Sequence, residues 1–97
     1  MKREAIISTL NARVDELRDR FGVTSLRVFG SVARNEARGE SDVDLLVGFS
    51  ESPSFRDFMA LRFFLEDLLG ATVDLVTENG LKPRVRPYVE KDAIRVA

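Results

Sequence analysis

Two short segments carry acids in the same way, and few folds accommodate both. Asp42-Val43-Asp44-Leu45-Leu46-Val47-Gly48-Phe49 alternates like a strand, with Val43, Leu45, Val47 and Phe49 making an apolar side. Thr72-Val73-Asp74-Leu75-Val76 repeats the logic, with Val73 and Leu75 opposite Asp74. Because side chains alternate along a strand, Asp42 and Asp44 share one side, about 7 Å apart along the backbone. If the apolar sides meet helices, all three aspartates fall on the opposite, open face of the sheet.

The rest of the chain supplies those helices. Ile6, Leu10, Val14, Leu17 and Phe21 form one stripe, which predicts a single amphipathic helix over the first twenty residues, stopped by Gly22. A second helix spans Phe55 to Leu69, after the turn Ser52-Pro53-Ser54 and before Gly70. Its apolar positions cover more than one stripe, so it reads mainly as core, and any exposed part would suit a protein partner. Leu26 to Phe29 is a short β-prone run broken by Gly30-Ser31, with about one helical turn over Val32 to Glu36 and a loop ending at Gly39. The tail predicts a short helix near Pro87 to Lys91 and a strand over Ala93 to Val96. Alternating elements give an α/β class: a mixed β-sheet with helices packed on one face. Ninety-seven residues make one domain, 1–97.

Composition removes several chemistries. The chain has no cysteine and no histidine, which excludes disulfides, thiolate nucleophiles, Ser-His-Asp catalysis and His- or Cys-ligated metals. Fifteen basic residues against sixteen acidic ones leave a net charge of −1, so no direct nucleic-acid binding is expected. No apolar run approaches the roughly 20 residues of a membrane span, and Met1-Lys2-Arg3-Glu4 leads into no signal-type core, so the expected location is cytoplasmic.

Carboxylates and hydroxyls remain. Crowded acids repel one another, so a fold keeps them together when a cation sits among them, and oxygen-only ligands suit magnesium. Two such ions would suit in-line displacement at phosphorus. Gly30-Ser31 lies where a strand gives way to a short helix: glycine admits a phosphate close to the backbone, Ser31 offers a hydroxyl, and Arg34 is one turn on.

Gly30-Ser31, ten intervening residues and Asp42-Val43-Asp44 form the G-S-x10-D-x-D pattern, which resembles the DNA polymerase beta-like nucleotidyltransferase superfamily. Phe29 to Arg34, Ser41 to Val47, Leu81-Lys82-Pro83-Arg84 and Ala93 to Val96 resemble its minimal nucleotidyltransferase (MNT) branch over essentially the whole chain. The resemblance implies that Asp42 and Asp44 bind two magnesium ions, that Asp74 completes the catalytic site, and that Gly30 and Ser31 hold ATP. It further implies an antitoxin that transfers AMP to a tyrosine of a HEPN-domain ribonuclease toxin. The alternatives are a non-catalytic antitoxin acting by binding alone, or nucleotidyl transfer to a small molecule. Oligomeric state is left open. Two positions depart from the family: Asn35 stands where glycine is frequent, and Pro87 interrupts a commonly continuous helix.

Each feature also has an ordinary structural reading. Asp42, Asp44 and Asp74 are solvated acids in that reading, Ser31 an N-cap, Arg34 a surface partner of Glu36, and Arg38 and Glu40 loop charges. The tail's Lys82, Arg84, Arg86, Lys91 and Arg95 make a solvated face or a guide for an acidic ligand, and Tyr88 is read as packing.

Overall fold

The computed structural model describes residues 2–36 and 42–97. Gly39, Arg38, Glu40 and Ser41 lie outside the described residues. The chain runs α1 (Arg3–Asn11), α2 (Val14–Phe21), β1 (Val23–Phe29), α3 (Gly30–Ala33), β2 (Val43–Phe49), α4 (Phe55–Leu69), β3 (Val73–Thr77), α5 (Arg86–Asp92) and β4 (Ile94–Arg95). The four strands make one mixed sheet in the order β3-β2-β1-β4. β2 runs parallel to β3, with α4 connecting them, and β1 runs antiparallel to both β2 and β4.

The alternation read from β2 and β3 sets the core. Val43, Leu45 and Val47 of β2, with Val73 and Leu75 of β3, are buried in one cluster with Ile6, Leu10 and Leu17 from the first two helices and Leu61, Leu65 and Leu69 of α4. Each fully buried leucine contributes about 1.5–3 kcal/mol relative to exposure. The spacing 61, 65, 69 is one helical face, and both ends of α4 are capped. Ser54 Oγ accepts the Asp57 N–H at 3.1 Å, and Gly70 takes a left-handed conformation at φ 63°. On the outer edge of β3, Arg62 and Glu66 of α4 bond the Val73 carbonyl and N–H.

The amino-terminal helix is two helices rather than one. The chain breaks at Ala12-Arg13, where Arg13 turns to φ −112°. Neither glycine nor proline causes this; Asn11 is a poor helix former, and the break still leaves Ile6, Leu10 and Leu17 all buried. It also lets Phe21 meet Phe64 of α4, with ring centroids 5.3 Å apart.

The second sheet face is less open than alternation alone suggests. Leu46 and Val89 are buried yet stand apart from the main core cluster. α5 approaches that face through the pair of Glu90 with Arg27 of β1, so the face is partly covered. Pro87 falls in the first turn of α5, where its missing N–H has no partner to lose, so it starts the helix instead of interrupting it.

Candidate active site

The strand register builds the site. Phe29 of β1 pairs with Asp44 of β2, and Asp44 pairs with Asp74 of β3. Neighbouring strands lie about 4.8 Å apart, so the Gly30 turn, Asp44 and Asp74 form a row across the sheet with Asp44 in the middle. Asp44 is half-buried; Asp74 and Asp42 are exposed, Asp42 standing just before β2 begins.

Gly30 is positioned by backbone and by contact. It takes φ 72°, the left-handed region, and a Cβ added there would overlap the Asp44 carboxylate. No other residue fits both requirements. The short helix therefore starts at Gly30 itself, two residues before the expected turn, with Ser31 in its first turn. Arg3 of α1 holds the far end by donating to the Ala33 carbonyl at 3.0 Å. Asn35, φ 59°, is the non-glycine residue with positive φ among the described residues. Asn tolerates that conformation better than other side chains, so the departure from glycine preserves the turn.

Electrostatics separate Asp44 from an ordinary surface acid. Burial pushes its carboxyl up to about 6, and the Asp74 charge, the Asp42 charge and a hydrogen bond with Asp74 add to the shift. Arg34 opposes it. That guanidinium is itself engaged, with Asp92 of α5 at 3.0 Å and with Glu36 at 3.2 Å, and both partners favour its charged form.

The residues expected at the site are thus partly assembled. Gly30, Asp44 and Asp74 come together, Ser31 follows Gly30 in the first turn of α3, Arg34 stands close enough to act on Asp44, and Asp42 contributes charge from the edge. Among the described residues, no three acidic side chains close around a common point as they stand. The donor set is all oxygen, and acidic neighbours crowd its central member, which suits a hard divalent cation.

A cleft of about 480 Å³ borders this row on the β1 side, between Phe29, Gly30 and Arg34 on one wall and Tyr88, Val89 and Asp92 of α5 on the other. Tyr88 is 75% exposed, so it is not packing. Adjacent residues on a helix do not share a face, and the buried neighbour Val89 was the available signal. Arg27, Ser25 and Glu78 also escaped the sequence reading: Glu78 accepts from Ser25 Oγ at 3.1 Å and from Arg27 at 2.9 Å. A second groove, of about 410 Å³ and lined by Phe55, Phe58 and Glu78, lies at the other end of β2, away from the aspartates.

Residues 10–96 match the model of the nucleotidyltransferase domain family. The chain belongs to this family. It is 47% identical over 93 residues to the protein adenylyltransferase MntA of Thermococcus cleftensis, covering 96% of this chain and 94% of that one. A solved structure assigned as a minimal nucleotidyltransferase superposes with a TM-score of 0.81 at 47% identity, over 97% of this nucleotidyltransferase-family chain and 95% of the other. A chain in the complex of a tri-AMPylated Shewanella oneidensis HEPN toxin with its MNT antitoxin superposes at 0.71, over 98% of this chain and 71% of that one. Its 15% identity makes that likeness one of fold. The mixed sheet expected from alternation is the minimal nucleotidyltransferase fold, and the chain is a homologue of a protein adenylyltransferase.

Proposed function

We propose that residues 1–97 act as one minimal nucleotidyltransferase domain, a magnesium-dependent cytoplasmic antitoxin that transfers AMP from ATP to a tyrosine hydroxyl of a HEPN toxin. The observation that carries the reading is the placement of Asp44 between the Gly30 turn and Asp74. Displacement at phosphorus needs the acceptor and the leaving group on opposite sides of the α-phosphate. A row with a phosphate-admitting turn at one end and an exposed acid at the other supplies those two sides.

In this reading Asp42 and Asp44 hold the ions and Asp74 completes their site. Two divalent ions, when bound, offset charge on the α-phosphate and the departing pyrophosphate. Gly30 and Ser31 hold the phosphate tail, and Arg34 leaves Asp92 or Glu36 to join them. Asp74 orients the tyrosine hydroxyl and takes its proton as the oxygen–phosphorus bond forms and the bond to pyrophosphate breaks. Homology to an adenylyltransferase supports the reaction class. Phe55, 81% exposed, and Phe63, 56% exposed, offer apolar surface on α4 of the kind a protein acceptor needs.

The test incubates the protein with labelled ATP, magnesium and its toxin partner. Label should appear on a toxin tyrosine with wild-type protein and not with Asp42→Ala/Asp44→Ala. Absence of transfer by wild-type protein would overturn the reading. If the double variant still neutralises the toxin, binding alone suffices for protection.

A further inference from the structure

We infer that α5 forms the nucleoside side of the site, with the Tyr88 ring stacking on the base of the bound nucleotide; this rests on the nucleotidyltransferase reading above. On the other side of Asp44 lies β3, the last strand of the sheet, whose Asp74 is exposed, which leaves that side to the acceptor. The β1 side carries a cleft that abuts Gly30, and its volume of about 480 Å³ is that of a small-ligand pocket. Its walls are not those of a phosphate site alone. Phe29, Val89 and the ring of Tyr88 give it apolar and aromatic surface, while Arg34 and Lys91 place cations at its margin.

Core packing does not account for an aromatic here, since Tyr88 is 75% exposed while the buried Val89 anchors the helix. A planar base offers that ring a partner, and stacking on an aromatic is tolerant of base identity. The ion pair of Arg34 with Asp92 at 3.0 Å ties α3 to α5 and fixes the spacing of the two walls. A triphosphate that draws Arg34 away would thereby couple phosphate binding to the position of the stacking wall.

Tyr88 is the chain's sole tyrosine, and there is no tryptophan, so its fluorescence and its ring-proton resonances report on this position alone. With magnesium present, ATP should quench Tyr88 emission saturably and move its ring protons upfield, whereas inorganic tripolyphosphate should bind without either change. Tyr88→Ala should weaken ATP binding about tenfold or more and leave tripolyphosphate binding unchanged, and Tyr88→Phe should restore ATP affinity. Equal ATP affinity in wild-type and Tyr88→Ala proteins, parallel loss of both ligands, or AMP found covalently attached to Tyr88 would overturn the inference. Wild-type protein that binds neither ligand would overturn the nucleotidyltransferase reading along with it.

Discussion

Asp44 and Glu78 stand on the same face of the sheet, at opposite ends of the β2–β3 pair, and the chain treats them in opposite ways. Glu78 is answered by its own fold: Ser25 and Arg27 both donate to one carboxylate oxygen, and Arg86 of α5 bonds the Glu78 carbonyl at 2.8 Å. Even glycine placement serves it, since a Cβ on Gly48 would crowd the Ser25 hydroxyl and the Glu78 carboxylate. Asp44 has acids for neighbours instead, and burial with those charges pushes it up to about 6. An acid that the chain neutralises is holding the structure together. One left short of positive charge is open to a ligand that brings it.

Substitutions at the two ends should therefore fail differently. The largest effect is expected from Asp44→Asn, which on the proposed reading should reduce AMP transfer at least about a hundredfold by removing an oxygen proposed to bind the metal; initial rates with labelled ATP measure it. Glu78→Gln should leave transfer within about threefold and instead lower stability by about 1–2 kcal/mol, seen in urea melts, because Arg27 loses the nearer of its two carboxylate partners and keeps only Glu90 at 4.0 Å. If Glu78→Gln abolishes transfer while stability holds, the division between the two ends is wrong.

The stability of metal-free protein should sharpen the contrast, with the sign reversed. The folded carboxyl of Asp44 lies at about 6, above the roughly 3.9 of an unfolded aspartate. The folded state therefore binds more protons between those values, and the group's contribution to stability falls as pH rises from about 4 to about 6. Asp44→Asn should remove that decline and stabilise the metal-free protein at pH 7.5 by about 1 kcal/mol, a figure reduced for the partial exposure of the group. Urea melts at pH 4.5 and 7.5 on both proteins check it; a variant less stable at both values would contradict it.

Much of the fold could be read from residue spacing because it depends on local periodicity. The alternation over Val43, Leu45 and Val47, the 61-65-69 leucine row and the stops at Gly22 and Gly70 are all visible within a few residues. The break at Ala12-Arg13 is local and carries no glycine or proline to mark it; the rest of what could not be read depends on pairing across the chain. Leu46 falls among the acids by alternation, and nothing nearby shows that it is buried on their side of the sheet. Arg34 meets Asp92 across 58 positions, and Glu78 meets Arg27 across 51. At the site, motif spacing singles out Gly30, Ser31 and Asp44 as candidates, and strand alternation adds Asp74. Their row depends on register, and the cleft beside Tyr88 depends on where α5 returns.

The smallest expected effect concerns the turn that precedes the acids. Asn35→Gly should change stability by no more than about 0.5 kcal/mol, since glycine accepts φ 59° freely, while Asn35→Ala should lose about 1 kcal/mol. Thermal melts distinguish the two, and equal behaviour would show that the left-handed turn is not what Asn35 contributes.

The account rests on divalent ions gathering at the acids rather than anywhere else on the surface. Anomalous diffraction from crystals grown with manganese and a non-hydrolysable ATP analogue tests this most directly. Peaks at bonding distance from Asp42 and Asp44, with the triphosphate against Gly30 and Ser31, are the predicted result. A bound triphosphate with no metal at these carboxylates, or metal held only elsewhere, would contradict it.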